Sequence, residues 1–342
     1  MLDIKGLSLS PADRTLLREP AVGGIILFSR NYTSPNQLAD LVADIRTLTS
    51  PPLLIAVDHE GGRVQRFRQG FSAIPPMRHL GRHYDTDREG AIDLAKTVGW
   101  IIGAELRAFG IDLAFAPCLD LDWGVSEVIG DRAFHKKPDV VAELAAAFAH
   151  GMRDAGMVAV AKHFPGHGAV VADSHKQLPV DRREFGDVLD DMQPYEVLAR
   201  QRAIGAVMMA HVVYSETDSR PAGFSSYWIE DQLRGQLGFD GAVFCDDLSM
   251  EAAVAYGSVP KRAELALAAG CDMVLVCNDR RGASATVASL NEYSKPTSLV
   301  RLARLHGTRS GLRESLLASD EWQHAAERLS HWSDRPDLEL NA

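Results

Sequence analysis

The sequence predicts one α/β domain, a single (β/α)8 barrel of the TIM type with parallel strands and extra C-terminal helices. Two observations predict it. Eight apolar runs of four or five residues recur along the chain, rich in Val, Ile, Leu and Ala. Such near-continuous runs are how strands buried on both faces read, as in a parallel sheet. Between them lie longer amphipathic stretches, so strand and helix alternate eight times.

In order, the strand candidates are Met1 to Ile4, Gly24 to Phe28, Leu53 to Val57, Leu113 to Pro117, Val158 to Ala161, Ala206 to Ala210, Ala242 to Cys245 and Met273 to Val276. The first run starts almost at the beginning of the chain, so a short or frayed strand is expected there. Ser10-Pro11 opens a short helix, with Ser as N-cap and Pro at the first helical position. Ser34-Pro35 repeats the signature before Gln37 to Leu48. Ala91 to Phe109 reads as a long helix ended by Gly110, and Asp139 to Ala155 as another ended by Gly156. Phe185 to Ala203, Ser225 to Leu237 and Lys261 to Ala269 follow, the last two closed by Gly. From about 291 to 342 the pattern is charged and helical, with Leu299 to Leu305 and Glu321 to Trp332 read as helices packed on the barrel. No repeat, low-complexity tract or linker divides residues 1–342, so a single catalytic domain is expected. An open doubly wound sheet is disfavoured because the early strands lack a GxGxxG turn and no GxxxxGK[ST] occurs.

Composition narrows the partners. The chain has 342 residues, 46% hydrophobic and 24% charged, with a net charge of −10. That balance argues against nucleic acid and anionic membranes as partners, though not against an anionic small substrate met by local Arg and Lys. No apolar run approaches the roughly 20 residues needed to cross a bilayer, and Met1-Leu2-Asp3-Ile4-Lys5 does not read as a signal peptide. Four Cys at 118, 245, 271 and 277 lack zinc spacing and read as buried thiols. A reducing cytoplasm and a monomer are the expectations.

Polar groups gather where the strands end, which is where sites form in such barrels. Asp58 to Arg66 follows the third run, and Cys118-Leu119-Asp120, leading to Gly130-Asp131-Arg132, the fourth. Lys162-His163 follows the fifth, His211 the sixth, Asp246-Asp247 the seventh and Asn278-Asp279-Arg280 the eighth. The densest stretch is Lys162-His163-Phe164-Pro165-Gly166-His167-Gly168 with Asp173-Ser174-His175. It is read as a loop starting at Lys162, with a Lys, three His and an Asp in fourteen residues. A mouth of this composition suits a sugar. Glycoside cleavage needs an anionic nucleophile and a proton donor to the leaving oxygen. Asp246 suits the first role if ionised. Asp173, two residues from His175, can orient that imidazole and favour its charged form, so that it acts first as acid and then as base.

These segments resemble the signature of the family 3 glycoside hydrolases, more narrowly the bacterial cytoplasmic β-N-acetylglucosaminidases of cell-wall recycling. Ile25-Ile26-Leu27-Phe28-Ser29-Arg30-Asn31, Asp58 through Phe67, Gly130-Asp131-Arg132-Ala133-Phe134, Ala210-His211-Val212 and Phe244-Cys245-Asp246-Asp247-Leu248-Ser249-Met250 fit the same group. The resemblance runs from about residue 1 to 290. It implies a metal-free, cofactor-free barrel and a retaining two-step hydrolysis. The implied nucleophile is Asp246, and the implied acid/base is His175 on a mobile loop with Asp173 as its partner. Asp58, Arg66, Arg132, Lys162 and His163 would hold the terminal N-acetylglucosamine. The implied substrate is N-acetylglucosaminyl-β-1,4-1,6-anhydro-N-acetylmuramic acid, with or without peptide.

Two positions depart from the family pattern. Cys245 stands where Ser is common before the nucleophile, which puts a supporting contact to Asp246 in question. His59 stands where Gln is common and leaves the Asp58 and Arg66 assignments intact. Gly166 and Gly168 are expected to let the acid/base come and go. Two rival readings remain. One is a metal-dependent amidohydrolase using Lys162, His163, His211 and Asp246, although the His-x-His usual at its first strand is missing. The other is a barrel that binds amino sugars without cleaving them, which leaves the nucleophile, acid/base and orienting Asp unexplained. Phosphorolysis, to which a His acid/base has been linked, is expected to be secondary to hydrolysis.

Overall fold

A computed structural model describes residues 1–172, 174, 178–308 and 311–333. The eight expected strands are all present as β1 (Leu2–Asp3), β2 (Gly24–Leu27), β3 (Leu54–Val57), β4 (Leu113–Ala114), β5 (Ala159–Phe164), β6 (Ile204–Met209), β7 (Ala242–Cys245) and β8 (Met273–Val274). They form two four-stranded parallel sheets, β1-β2-β3-β4 and β8-β7-β6-β5. Single parallel bridges link the sheet edges at both seams: Cys118 with Lys162, and Leu2 with Val276. Backbone bonds from Val160 N to Ala116 O (2.9 Å) and Val276 N to Met1 O (3.1 Å) reinforce them. The arrangement is a TIM-barrel-like α/β fold.

Apolar character on both strand faces has a direct structural cause. Ile26, Leu54, Ala56, Phe115, Val160, Met208 and Phe244 pack into one cluster, and Ile25, Leu27, Ile55, Val57, Ala161, Val207 and Val243 into another against the helices. Neighbouring residues of a strand point to opposite faces, so each strand feeds both clusters. Phe115 and Phe244 meet edge to face, 5.6 Å apart, in the first cluster. Leu302 and Leu305 join it from the C-terminal segment.

The helix signals are realised with shifted ends. Ser10 Oγ accepts from Asp13 N (3.1 Å) while Asp13 accepts from Ser10 N (2.9 Å), starting the helix Pro11–Leu17. Ser34 Oγ accepts from Gln37 N (3.3 Å) at the start of Pro35–Arg46. The long helix begins at Arg88, earlier than its apolar pattern, because Asp87 accepts from Gly90 N. Among the described residues, the short helix Glu251–Val254 and two longer ones escaped the sequence reading. Met77–Tyr84 buries only Met77, Leu80 and Gly81, and Arg280–Ser289 is built mostly of small residues with Asp279 as its cap. Tyr227–Gln236, expected as a helix, has π-helical pairing. Pro296–Ala303, Arg313–Leu317 and Asp320–Ser333 make up the described part of the C-terminal segment. This segment packs back on the domain through Trp322 Nε1 to Glu105 (3.0 Å) and Arg313 to Gly70 O (2.8 Å).

The N-terminal ends of the strands carry a repeated polar device. Asp112, just before β4, accepts from Ile55 N of β3 (3.0 Å), Arg46 (2.6 Å), Arg107 (3.1 Å) and Gly307 N (3.2 Å). Asp272, just before β8, accepts from Val243 N of β7 (2.9 Å), Arg234 (2.8 Å) and Ser298 Oγ (2.5 Å). Each buried carboxylate thus ties a strand, its neighbour and an outer helix together at the end where barrel folds keep their stability rather than their chemistry. Removing such a carboxylate leaves buried Arg and N–H groups unpaired. Asp272→Ala is therefore expected to lower the unfolding free energy by about 3 kcal/mol. Urea denaturation measures this, with activity per folded molecule expected to stay unchanged.

Candidate active site

At the opposite strand ends lies a cavity of about 470 Å³, walled by residues that follow β2, β3, β4, β5, β7 and β8 and floored by Ile26, Phe115, Met208 and Leu275. Asp58, Arg66, Arg132, Lys162, His163 and Asp246 all line it. The sequence-assigned residues Asp173 and His175 lie outside the described residues, while Ser174 between them lines the cavity.

One wall is an unbroken alternation of charges. Arg66 Nη2 pairs with Asp58 Oδ2 (3.1 Å), and Lys162 Nζ reaches both Asp58 Oδ1 (3.1 Å) and Glu60 Oε1 (2.5 Å). Arg132 makes a two-pronged contact with Glu60, 2.9 Å on each arm. Three cations meet two carboxylates, so the wall retains one positive charge for acceptor atoms of a ligand. Burial alone would raise the Glu60 carboxyl, but Arg132 and Lys162 outweigh it and hold it at about 2. Asp58 is likewise lowered by Lys162 and Arg66 against the effect of burial. Burial would discharge Lys162, but Glu60 and Asp58 keep its pKa raised.

Glu60 is central to this wall and was missing from the sequence assignment. The signal for it was present: in extended backbone, residues two apart share a face. Asp58 and Glu60 therefore point into the cavity together, and His59 points the other way. His59 is buried against Phe67 and Phe71, with ring centroids 6.0 and 5.6 Å away. Burial, helped by Arg68 and Arg66, lowers its pKa to about 3.

The fifth strand end corrects the sequence reading. Lys162 and His163 do not open a loop; β5 runs on to Phe164. Both residues face the cavity although they are consecutive, which regular pleating forbids. A register shift between Lys162 and Phe164 against β6 resolves this, because an extra residue in a strand re-aims its neighbours. Asp120 holds the shifted segment. Its Oδ2 lies 2.7 Å from His163 Nδ1, and its Oδ1 accepts from the backbone N–H groups of His163 (3.3 Å) and His167 (2.7 Å).

The two glycines of this segment are packing requirements. A Cβ on Gly168 would sit 1.9 Å from Leu121 O, and one on Gly166 2.6 Å from the Asp191 side chain. Both glycines are buried. His167 Nε2 reaches Ser174 Oγ (3.2 Å), and Ser174 O accepts from Ala252 N (3.1 Å). Burial, with His163 adding to it, lowers the His167 pKa to about 4.

Asp246 and Asp247 leave β7 side by side. Partial burial acts to raise the Asp246 carboxyl, but His163, then His211, the Asp247 N–H and Lys162, bring it below its usual range. Asp246 is therefore an anion at neutral pH. His211 sits beneath the pair, with Nε2 3.1 Å from Asp246 O and 3.2 Å from Asp247 O. Two carbonyl acceptors put a proton on that nitrogen. The contact from Cys245 to Asp246 that the sequence put in question is not made. Its side chain lies on the outer face of the strand, in the core beside Cys271 and Gly223.

Two further strand-end groups serve elsewhere. Asp279 caps its helix, and Arg280 pairs with Asp13. Neither lines the cavity. The geometry also bears on the amidohydrolase reading. Carbamylation needs a neutral amine, whereas Lys162 is a charged ammonium clasped by two carboxylates. Among the described residues, Cys118, Asp120 and His163 do bring potential ligand atoms within 4.8 Å of one another. Both oxygens of Asp120 are already engaged there, since the Cys118 thiol also donates to Oδ2 (3.2 Å).

The charged wall makes a testable demand. Glu60→Gln leaves Lys162 and Arg132 without their shared anion, and the expected loss is about 3 kcal/mol of unfolding free energy at neutral pH. The folded-state pKa of Glu60 is depressed from 4.5 to about 2, so its contribution is present above 4.5 and fades as pH falls through that window. Urea denaturation of both proteins from pH 7 to pH 3 checks this: the gap between them should narrow only below about pH 4.5.

Comparison with known proteins bears on the same cavity. Residues 2–305 match the glycosyl hydrolase family 3 N-terminal domain. A protein of Thioalkalivibrio sulfidiphilus named beta-hexosaminidase is 51% identical over 341 residues, 100% of this chain and 98% of its own length. One of the same name from Thiobacillus denitrificans is 50% identical, covering 95% of this chain and 92% of its own. Among solved structures, native NagZ from Neisseria gonorrhoeae superposes with a TM-score of 0.91 at 40% identity, over 98% of this chain and 97% of that one. The same protein in complex with N-trifluoroacetyl-D-glucosamine gives a TM-score of 0.91 at 41% identity, with the same coverage. A match spanning nearly the whole chain, with half of its residues identical in full-length relatives, places it: this chain is an enzyme of glycoside hydrolase family 3.

Proposed function

We propose that this chain is a retaining exo-β-N-acetylglucosaminidase, built as a single domain in which the two sheets act as one closed (β/α)8 barrel. Its substrate would be the terminal β-1,4-linked N-acetylglucosamine of N-acetylglucosaminyl-1,6-anhydro-N-acetylmuramic acid, with or without peptide, in cytoplasmic cell-wall recycling. The observation that carries the reading is an anionic Asp246 in one cavity with the Arg66–Asp58–Lys162–Glu60–Arg132 wall. The relatives' name and the glucosamine derivative held by a 41% identical neighbour support the choice of sugar.

In this reading Asp58, Arg66, Arg132, Lys162 and His163 grip the ring's hydroxyl and acetamido groups, with Glu60 fixing the two cations. Asp246 attacks the anomeric carbon and forms a glycosyl ester as the bond to the leaving oxygen breaks. His175 gives that oxygen its proton, with Asp173 orienting the imidazole. His175 then takes a proton from water, which attacks the anomeric carbon and frees Asp246, so the configuration is retained. Ser174, which lies between Asp173 and His175 in sequence, lines the cavity and is held by His167 and Ala252.

Purified enzyme should release p-nitrophenol from its β-N-acetylglucosaminide, and in phosphate buffer free sugar should outweigh sugar 1-phosphate. Asp246→Ala should abolish turnover while retaining the fold; full activity would remove the assignment. His175→Ala should slow substrates with poor leaving groups far more than aryl glycosides, which need little protonation. Equal losses on both would count against the general-acid role.

A further inference from the structure

The second aspartate of the pair has no part in the mechanism above, yet it too lines the cavity. Its surroundings can be resolved by counting protons. Asp247 Oδ1 accepts from the backbone N–H groups of Ser249 and Cys277, each at 3.0 Å. Ser249 Oγ lies 2.7 Å from Asp247 Oδ2 and 2.6 Å from the carbonyl oxygen of Cys277. Both contacts have the length of an O–H···O bond, so each needs a hydrogen between its oxygens. Ser249 has one hydroxyl hydrogen, and a carbonyl can only accept. Ser249 therefore donates to Cys277 O, and the second hydrogen has to come from Asp247.

We propose that in mildly acidic solution Asp247 is a protonated carboxylic acid alongside the ionised Asp246. Through the relay Asp247 Oδ2–H to Ser249 Oγ–H to Cys277 O, it is a positioning residue that locks the turn after β7 to the turn after β8. The inference rests on the nucleophile reading of Asp246.

Each element packed against the pair bears on the proton. Asp246 disfavours a second adjacent anion. His211, from the end of β6, donates to both backbone carbonyls and acts through space on the Asp246 carboxyl, favouring its anion. Cys277, after β8, presents an N–H and a buried thiol. Arg262, from the helix Val259–Ala269, opposes the proton electrostatically, but its Nη1 is committed to Leu248 O at 2.6 Å. Burial is the largest effect and raises the carboxyl to about 6, while Asp246 is lowered. Adjacent carboxylates driven apart in this way divide into one acid and one anion. The lock has a further consequence. Asn278, the cavity-wall residue after Cys277, has left-handed backbone with φ of 61°. Both backbone groups of Cys277 that precede it are held by this relay.

Asparagine reproduces the neutral acid in shape and hydrogen bonding, with a carbonyl for the two N–H groups and an N–H for Ser249. Asp247→Asn should therefore keep kcat/KM within about threefold of the parent at pH 5.5, whereas Asp247→Ala, which lets both turns shift, should lose about 100-fold. Loss in Asp247→Asn equal to that in Asp247→Ala would overturn the proposal, since it would mean that the anion is required. Carboxyl carbon NMR of aspartate-labelled protein reads the proton without turnover. The resonance missing from Asp247→Asn should titrate near pH 6 or above, and titration below pH 4 would overturn the proposal. Asp246→Ala separates the two ideas: an active variant removes the nucleophile reading, while the Asp247 resonance still reports on its own proton.

Discussion

The buried ammonium of Lys162 is the contact on which this site depends. It sits between Glu60 and Asp58, and so fastens β5 to the hairpin that follows β3, across the seam between the two sheets. A lone ammonium at that depth would lose its charge. Two carboxylates keep it charged, and their remaining oxygens hold Arg66 and Arg132. The cavity wall is therefore a single electrostatic unit that forms whole. Its spare positive charge is aimed at the cavity, where a sugar's oxygens can use it.

A division along the strand axis follows from the same chemistry. At the N-terminal ends, Asp112 and Asp272 are saturated by backbone and guanidinium donors from several elements and leave nothing for a ligand. At the C-terminal ends, Asp58, Glu60 and Asp120 fix other polar groups, and Asp246 is left as an anion with one backbone donor, the Asp247 N–H at 2.8 Å.

Much of this was legible in the sequence for a physical reason. Strands buried on both faces are continuous apolar runs, so all eight were placed, and Ser-Pro and Gly signals located helix ends. What was hidden depended on contacts far apart in sequence. Lys162 and His163 looked like loop residues because charge in a buried strand is tolerated only with partners, and those partners, Glu60 and Asp120, lie 102 and 43 positions away. Asp120 read as one strand end among several, although it holds β5 and the segment after it. Cys245 was weighed against the Ser common at its position as a possible support for Asp246, whereas strand alternation sends the two to opposite faces. The family resemblance supplied the roles; the hydrogen-bond geometry shows which groups support them.

The most direct test of the central claim is intact-protein and peptide mass spectrometry after reaction with a fluorinated 2-acetamido-sugar glycoside that forms its enzyme ester faster than it is hydrolysed. The account predicts one sugar residue added per chain, carried by the peptide containing Asp246. Turnover that inverts the anomeric configuration without any adduct, or an adduct on another residue, would contradict it.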